Sequence, residues 1–164
     1  MNKHILSVLV NDKPGVLARV AGLFNRRSFN IASLAVGASE NPGQSRMTIV
    51  VLGSEAQLQQ ITKQLQKLID VVKIEDFTSS KRKFVDREMI LIKVKSTAAT
   101  RSEIIEIGEI FRSKIVDVGP KSLTIEATGD EGKVNAILNL LSPFGLIEVV
   151  RTGKVALGRG VAEA

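Results

Sequence analysis

Apolar residues in this chain change their spacing in one fixed order, and that order runs through twice. Alternating or continuous apolar runs mark strands, whereas repeats at three and four residues mark helices. Residues 4–10 read as a strand, apolar on both faces except at Ser7 and therefore central and covered. From Gly15 or Val16 to about Arg27, the residues Leu17, Val20, Ala21 and Phe24 form one helical stripe, with Arg19, Asn25 and Arg26 facing elsewhere. Residues 29–38 and 46–52 read as strands joined by the turn residues Glu40, Asn41, Pro42, Gly43 and Gln44. Ser54 caps a second helix carrying Leu58, Ile61, Leu65 and Leu68. Residues 71–77 alternate as a fourth strand, with Val72 and Ile74 opposite Val71, Lys73 and Glu75.

A polar, basic stretch without period, residues 78–84, separates this unit from a second. There, residues 87–95 read as a strand and 101–113 as a helix with Ile104, Ile107, Gly108 and Phe111 on one face. Residues 114–118 and 123–128 read as strands around a turn at Gly119 and Pro120. Asp130 opens a helix lined by Val134, Ile137, Leu138 and Leu141, and residues 145–150 close the unit as a strand. Each βαββαβ series predicts an α+β, ferredoxin-like unit: four antiparallel strands with two helices on one face. The expected domains are residues 1–77, a linker at 78–85, and a second unit at 86–164.

Such a sheet has a second face without helices. Leu34, Val36, Ile49, Val50 and Val51 supply apolar residues on both sides of their strands. Each aliphatic side chain taken out of water contributes about 1.5–3 kcal/mol, so a bare face predicts a covering partner. A homodimer through sheet edges or helices of the first unit meets that need.

Composition narrows the function classes. Cysteine is absent, and the one histidine, His4, reads as a surface residue without partners for a metal site or triad. The net charge of +6 raises nucleic acid as a partner, but Trp and Tyr are missing and only Lys81, Arg82 and Lys83 cluster, as a solvated linker would. Neither nucleic acid nor membrane is expected as a partner: only the charge speaks for the first, a rival reading that a salt-sensitive pull-down would favour, and no apolar run approaches the ~18 residues of a bilayer span. The first strand starts at once, leaving no room for a signal or transit peptide, which predicts a cytoplasmic protein, or a stromal one if plastid-encoded. Gly129 to Lys133 has too few spacers for a phosphate loop. Glu103, Glu106 and Glu109 read as a solvent-facing helix side, and Gly158, Arg159 and Gly160 as a loose tail. A chain with no nucleophile, metal cluster or cofactor fingerprint reads as a binding module, with no cofactor of its own.

The stretch from Val10 to Ile31 carries the binding chemistry. Pro14 is pre-set for a turn, Gly15 lets another molecule approach the backbone, and the N–H groups of Val16 and Leu17 begin a helix that favours a carboxylate. On local chemistry alone, Asp12 to Gly15 also reads as an ordinary turn.

Residues 6–24, LSVLVNDKPGVLARVAGLF, resemble the opening of an ACT domain, a module that binds small amino acids. With residues 27–37, 45–51, 63–71, 87–93, 110–118 and 150–154, the likeness extends to the small regulatory subunits of acetohydroxyacid (acetolactate) synthase. The resemblance implies a non-catalytic chain that activates a large subunit using thiamine diphosphate, Mg2+ and FAD. It also implies feedback inhibition by branched-chain amino acids, chiefly valine, bound between two ACT domains of a homodimer. Carried over by match, Asp12, Pro14, Gly15, Val16 and Leu17 form one side of the effector site, and Asn30 and Ile31 come from the partner chain. Asp12 or Asn30 would accept from the ammonium, with Leu17 and Ile31 against the side chain. Asp12, Ser28 and Ala32 stand where relatives often carry Asn, Gly and Glu, and none of the three removes the Gly15 loop. A free-standing amino-acid sensor acting on another protein is the alternative, distinguished by whether a thiamine-diphosphate enzyme co-purifies.

Overall fold

The computed structural model describes residues 2–27 and 29–161, so Ser28 lies outside the described residues. The chain divides into two compact units, one running to Val85 and taking in the segment from Lys154 onward, the other spanning Asp86–Gly153. Both are α+β and follow βαββαβ, as expected.

The first unit contains β1 (Asn2–Asn11), α1 (Val16–Arg26), β2 (Asn30–Ala38), β3 (Gln44–Gly53), α2 (Glu55–Gln66) and β4 (Val71–Asp76). Its antiparallel sheet has the order β2-β3-β1-β4. Strand β1 pairs with β3 without a break from Asn2 opposite Gly53 to Asn11 opposite Gln44. Alternate residues Leu6, Val8 and Val10 of β1 and Met47, Ile49 and Val51 of β3 bury one face. Val16, Val20 and Phe24 of α1 and Leu58, Ile61 and Leu65 of α2 close over it.

The buried stripe of α1 differs by one residue from the expected one. Leu17 is 45% exposed and Val16 takes its place in the core. Phe24 suits either stripe, being four residues beyond Val20 and seven beyond Leu17, so spacing alone does not choose the rotation. In β4 the expected alternation also breaks. Val10 pairs with Val71 and Leu9 with Lys73, leaving Val72 as a bulge. Val71 and Ile74 consequently both pack on the core, and Val72 is exposed. His4 is buried rather than superficial, with Nε2 3.2 Å from the Gly53 carbonyl oxygen.

On the face away from the helices, Ile5, Val50, Phe77 and Ala156 bury one another, with Phe84 packed against them. Ala156 belongs to β9 (Val155–Gly158). The Ala156 amide donates to Thr48 Oγ1 at 3.4 Å and the Lys154 amide to Ser33 Oγ at 3.3 Å. The expected loose tail is thus in part a strand, and part of the bare face is covered by the chain's own C-terminal segment. Accordingly that segment belongs with the first unit, not with the 86–164 unit expected from the pattern. Four residues are too few for a periodic signal, and the burial of Ala156 depends on partners more than seventy positions away.

The second unit contains β5 (Phe84–Lys95), α3 (Arg101–Ile110), β6 (Lys114–Val118), β7 (Ser122–Gly129), α4 (Glu131–Leu141) and β8 (Leu146–Arg151). Strand β5 starts three residues earlier than its pattern suggested, inside the expected linker. The sheet order is β6-β7-β5-β8. Ile90, Ile92, Val94, Leu123, Ile125 and Ala127 bury one face under Ile104 of α3 and Val134, Ile137 and Leu141 of α4.

Candidate functional site

Where β1 ends, four backbone bonds fold the chain back on itself. The Asn11 amide donates to the Asp70 carbonyl at 2.8 Å, Asp12 to Gly43 at 2.8 Å, Lys13 to Asn11 at 3.0 Å and Val16 to Lys13 at 3.3 Å. Gly15 then caps α1 in the left-handed conformation, φ 84° and ψ −6°. A side chain there would cost roughly 1–2 kcal/mol in backbone strain. Space is not the constraint, since the nearest atom to a Cβ built on Gly15 would be Arg19 Nη2 at 3.8 Å.

The first helical bond runs from the Arg19 amide to the Gly15 carbonyl at 3.0 Å. Opening amides of an α-helix have no acceptor within it, which leaves Leu17 and Ala18 as outward donors. Val16, expected among the free donors, spends its amide on the turn. No side chain caps α1, and its first turn holds no acid. Lys13 and Arg19 flank the loop, each 3.5 Å from the Asp70 carboxylate. With Asp12 on the same loop the side-chain charges balance, and it is the open helix start that suits a carboxylate ligand, the dipole alone contributing about 0.3–2 kcal/mol. The hairpin beside the loop carries its own pair: Arg46 donates to both Glu40 carboxylate oxygens, at 2.6 and 2.9 Å. That contact, with a backbone bond, lowers the Glu40 carboxyl from 4.5 to about 2.

Asp12, Pro14, Gly15, Val16 and Leu17 therefore stand together at one end of the sheet. Asn30 and Ile31 do not join them within one chain. Asn30 pairs with Leu52 near the opposite end of β3, whereas Asp12 follows the pair Asn11–Gln44. The ten residues of β1 lie between, roughly 30 Å of strand. Asn30 is exposed and Ile31 packs partly against the core. Both sit on β2, at the sheet's edge in the observed order. Asp70 and Arg19 were missed as site residues. Arg19 stands four residues after Gly15, a spacing that brings its guanidinium back over the loop, but nothing local pairs it with Asp70. Among the described residues no three His, Cys, Asp or Glu gather as a metal site, and no helix is long and apolar enough to cross a membrane.

Residues 6–73 match the family described as the AHAS small subunit-like ACT domain. Residues 87–160 match the family described as the small subunit of acetolactate synthase. The chain is 56% identical over 157 residues to the acetolactate synthase small subunit of Mycobacterium bovis, covering 96% of this chain and 92% of that one. It is 52% identical over 158 residues to the probable acetolactate synthase small subunit of Archaeoglobus fulgidus, covering 96% and 98%. The crystal structure of the small subunit from Thermotoga maritima superposes with a TM-score of 0.89 at 45% identity, covering 99% of this chain and all of that one.

Proposed function

The chain belongs to the family of acetolactate synthase small subunits, and from that premise we infer that it is the regulatory, non-catalytic partner of the large subunit. It activates a catalytic chain that carries thiamine diphosphate, Mg2+ and FAD, and it conveys feedback inhibition by a branched-chain amino acid, valine by preference. The cofactors belong to the large subunit, and the complex works in the cytoplasm.

One observation supports the ligand assignment above the others: a left-handed glycine opens α1 with no side-chain cap and no acid in its first turn. The amides of Leu17 and Ala18 hold the effector carboxylate. Asp12 accepts from the ammonium, and the exposed Leu17 side chain meets the aliphatic part. Asn30 and Ile31 of a second copy complete the site, because β1 separates them from the loop of their own chain. The functional unit is accordingly a dimer through the ACT units. Inhibition requires that valine bind two arrangements of the complex unequally, and couplings of this kind run to about 1–3 kcal/mol.

Calorimetry on the whole chain tests the site. Gly15→Asp strains the loop and sets a carboxylate against the ligand's own, so valine binding disappears and the reconstituted complex loses valine inhibition. Wild-type affinity in that variant refutes the assignment.

A further inference from the structure

We propose that Asp70 is a positioning residue for the effector, shaping the Lys13–Gly15 loop without touching the amino acid. The inference rests on the effector reading above. Asp70 lies between α2 and β4 and is 8% exposed. Its Oδ1 is 3.5 Å from Lys13 Nζ and its Oδ2 is 3.5 Å from Arg19 Nη2. Oδ1 is buried without a hydrogen-bond donor. Its main chain takes part as well, since the Asp70 carbonyl accepts from the Asn11 amide at 2.8 Å. Arg19 completes the clamp by donating from Nε to the Gly15 carbonyl at 3.3 Å and from Nη2 to the Pro14 carbonyl at 3.5 Å. One carboxylate thereby holds the loop before and after Pro14 and Gly15.

A carboxylate withdrawn from water needs compensating charge. Both cations paired with Asp70 sit on the loop or in α1, so its burial is compensated only while the loop keeps this shape. Burying Asp70 and pre-setting the Leu17 and Ala18 amides are one event, and pre-set donors bind without a further ordering cost. A cavity of about 240 Å³ adjoins the clamp, lined among others by Val16, Arg19, Leu68, Asp70 and Val71.

The direction of the effect separates positioning from simple electrostatics. Asp70→Asn leaves Lys13 and Arg19 unneutralised beside the helix start, and by attraction alone this would tighten a carboxylate ligand. A loosened loop weakens it. Valine is titrated by calorimetry into the full chain carrying Asp70→Asn, Asp70→Glu, Arg19→Gln or the Asp70→Asn/Arg19→Gln pair, with thermal melts alongside. Asp70→Asn and Arg19→Gln each raise the valine Kd at least tenfold, Asp70→Glu recovers part of the loss, and the double variant is no weaker than the worse single one. Unchanged or tighter binding in Asp70→Asn overturns the inference, as does additivity in the pair. Should Asp70→Asn not fold, Arg19→Gln decides: an unchanged Kd there overturns it equally. Gly15→Asp runs as a separate arm, because retained binding in that variant refutes the effector site itself rather than the clamp.

Discussion

The two units run the same six elements and order their strands alike, β2-β3-β1-β4 in one and β6-β7-β5-β8 in the other, and neither first helix has a side-chain cap, yet the loops that open those helices differ. In the first unit, Gly15 enters α1 left-handed and uncapped, with cations beside it. In the second, Thr97 and Thr100 close the loop on themselves. The Thr97 amide donates to Thr100 Oγ1 at 3.0 Å, the Thr100 amide to Thr97 Oγ1 at 3.3 Å, and the two hydroxyls lie 3.1 Å apart. Glu103 then puts an acid in the first turn of α3. The first turn of α1 thus carries no acid, whereas that of α3 does. The same fold therefore carries two loops of different chemistry, and the proposed ligand site depends on the loop rather than on the fold.

The free sheet faces differ in the same sense. In the first unit Ile5, Val50 and Phe77 need cover and receive it from Ala156. In the second, Lys93 lies 3.6 Å from Glu148, and Glu126 stands opposite Leu91, so that face is partly polar.

The largest test of this comparison treats the two cores separately. Phe24→Ala removes about 3–5 kcal/mol and Ile125→Ala about 2–5 kcal/mol. Hydrogen exchange resolved by residue should show each loss in the unit that carries the substitution. A uniform loss would mean that the units do not have separate cores. The loops come next. Gly15→Asp weakens valine at least 100-fold, about 2.7 kcal/mol, while Ala99→Asp in the corresponding loop of the second unit leaves the Kd unchanged by calorimetry. Equal losses would erase the contrast between the loops.

Smaller effects attend the second helix of each unit, which both units cap alike. Ser54 Oγ accepts from the Gln57 amide at 3.3 Å while Gln57 Oε1 accepts from the Ser54 amide at 3.0 Å. Asp130 Oδ1 accepts from the Lys133 amide at 3.0 Å. Ser54→Ala and Asp130→Ala each cost about 1 kcal/mol in chemical denaturation. The smallest effect distinguishes the hairpins. The Glu40 carboxyl, bonded by Arg46, is lowered from 4.5 to about 2. Its folded value is depressed, so its contribution is present above about 4.5 and is lost as pH falls through about 2. Carboxyl NMR should record that midpoint and its return toward 4.5 in Arg46→Gln. The β6–β7 hairpin has Arg101 donating to the Gly119 and Pro120 carbonyls at 3.4 Å, contacts without an acid to titrate.

Much of the fold was legible in the residues. Element order, the Gly15 helix start and the Ser54 and Asp130 caps all depend on neighbours within four positions. Of the candidate site, the sequence brought together the loop residues, while Asn30 and Ile31 lie far from them in the same chain. Lys13, Arg19 and Asp70 meet because β4 returns beside β1, and nothing in the residues around Asp70 signals that meeting. The stripe of α1 was misread between Val16 and Leu17 because Phe24 satisfies both. The core side of β4 was misread because the Val72 bulge adds one residue to a period of two.

The chain alone determined what dihedral preference and short-range spacing control: two βαββαβ series and a first helix that opens at a glycine. Tertiary structure decided which face of α1 is buried, that β9 covers the first sheet, and that a distant carboxylate clamps the Gly15 loop. The reason is range. Turn, cap and stripe are set by atoms a few bonds or one helical turn apart, whereas register, bulges and buried ion pairs depend on segments that meet only when the sheet closes.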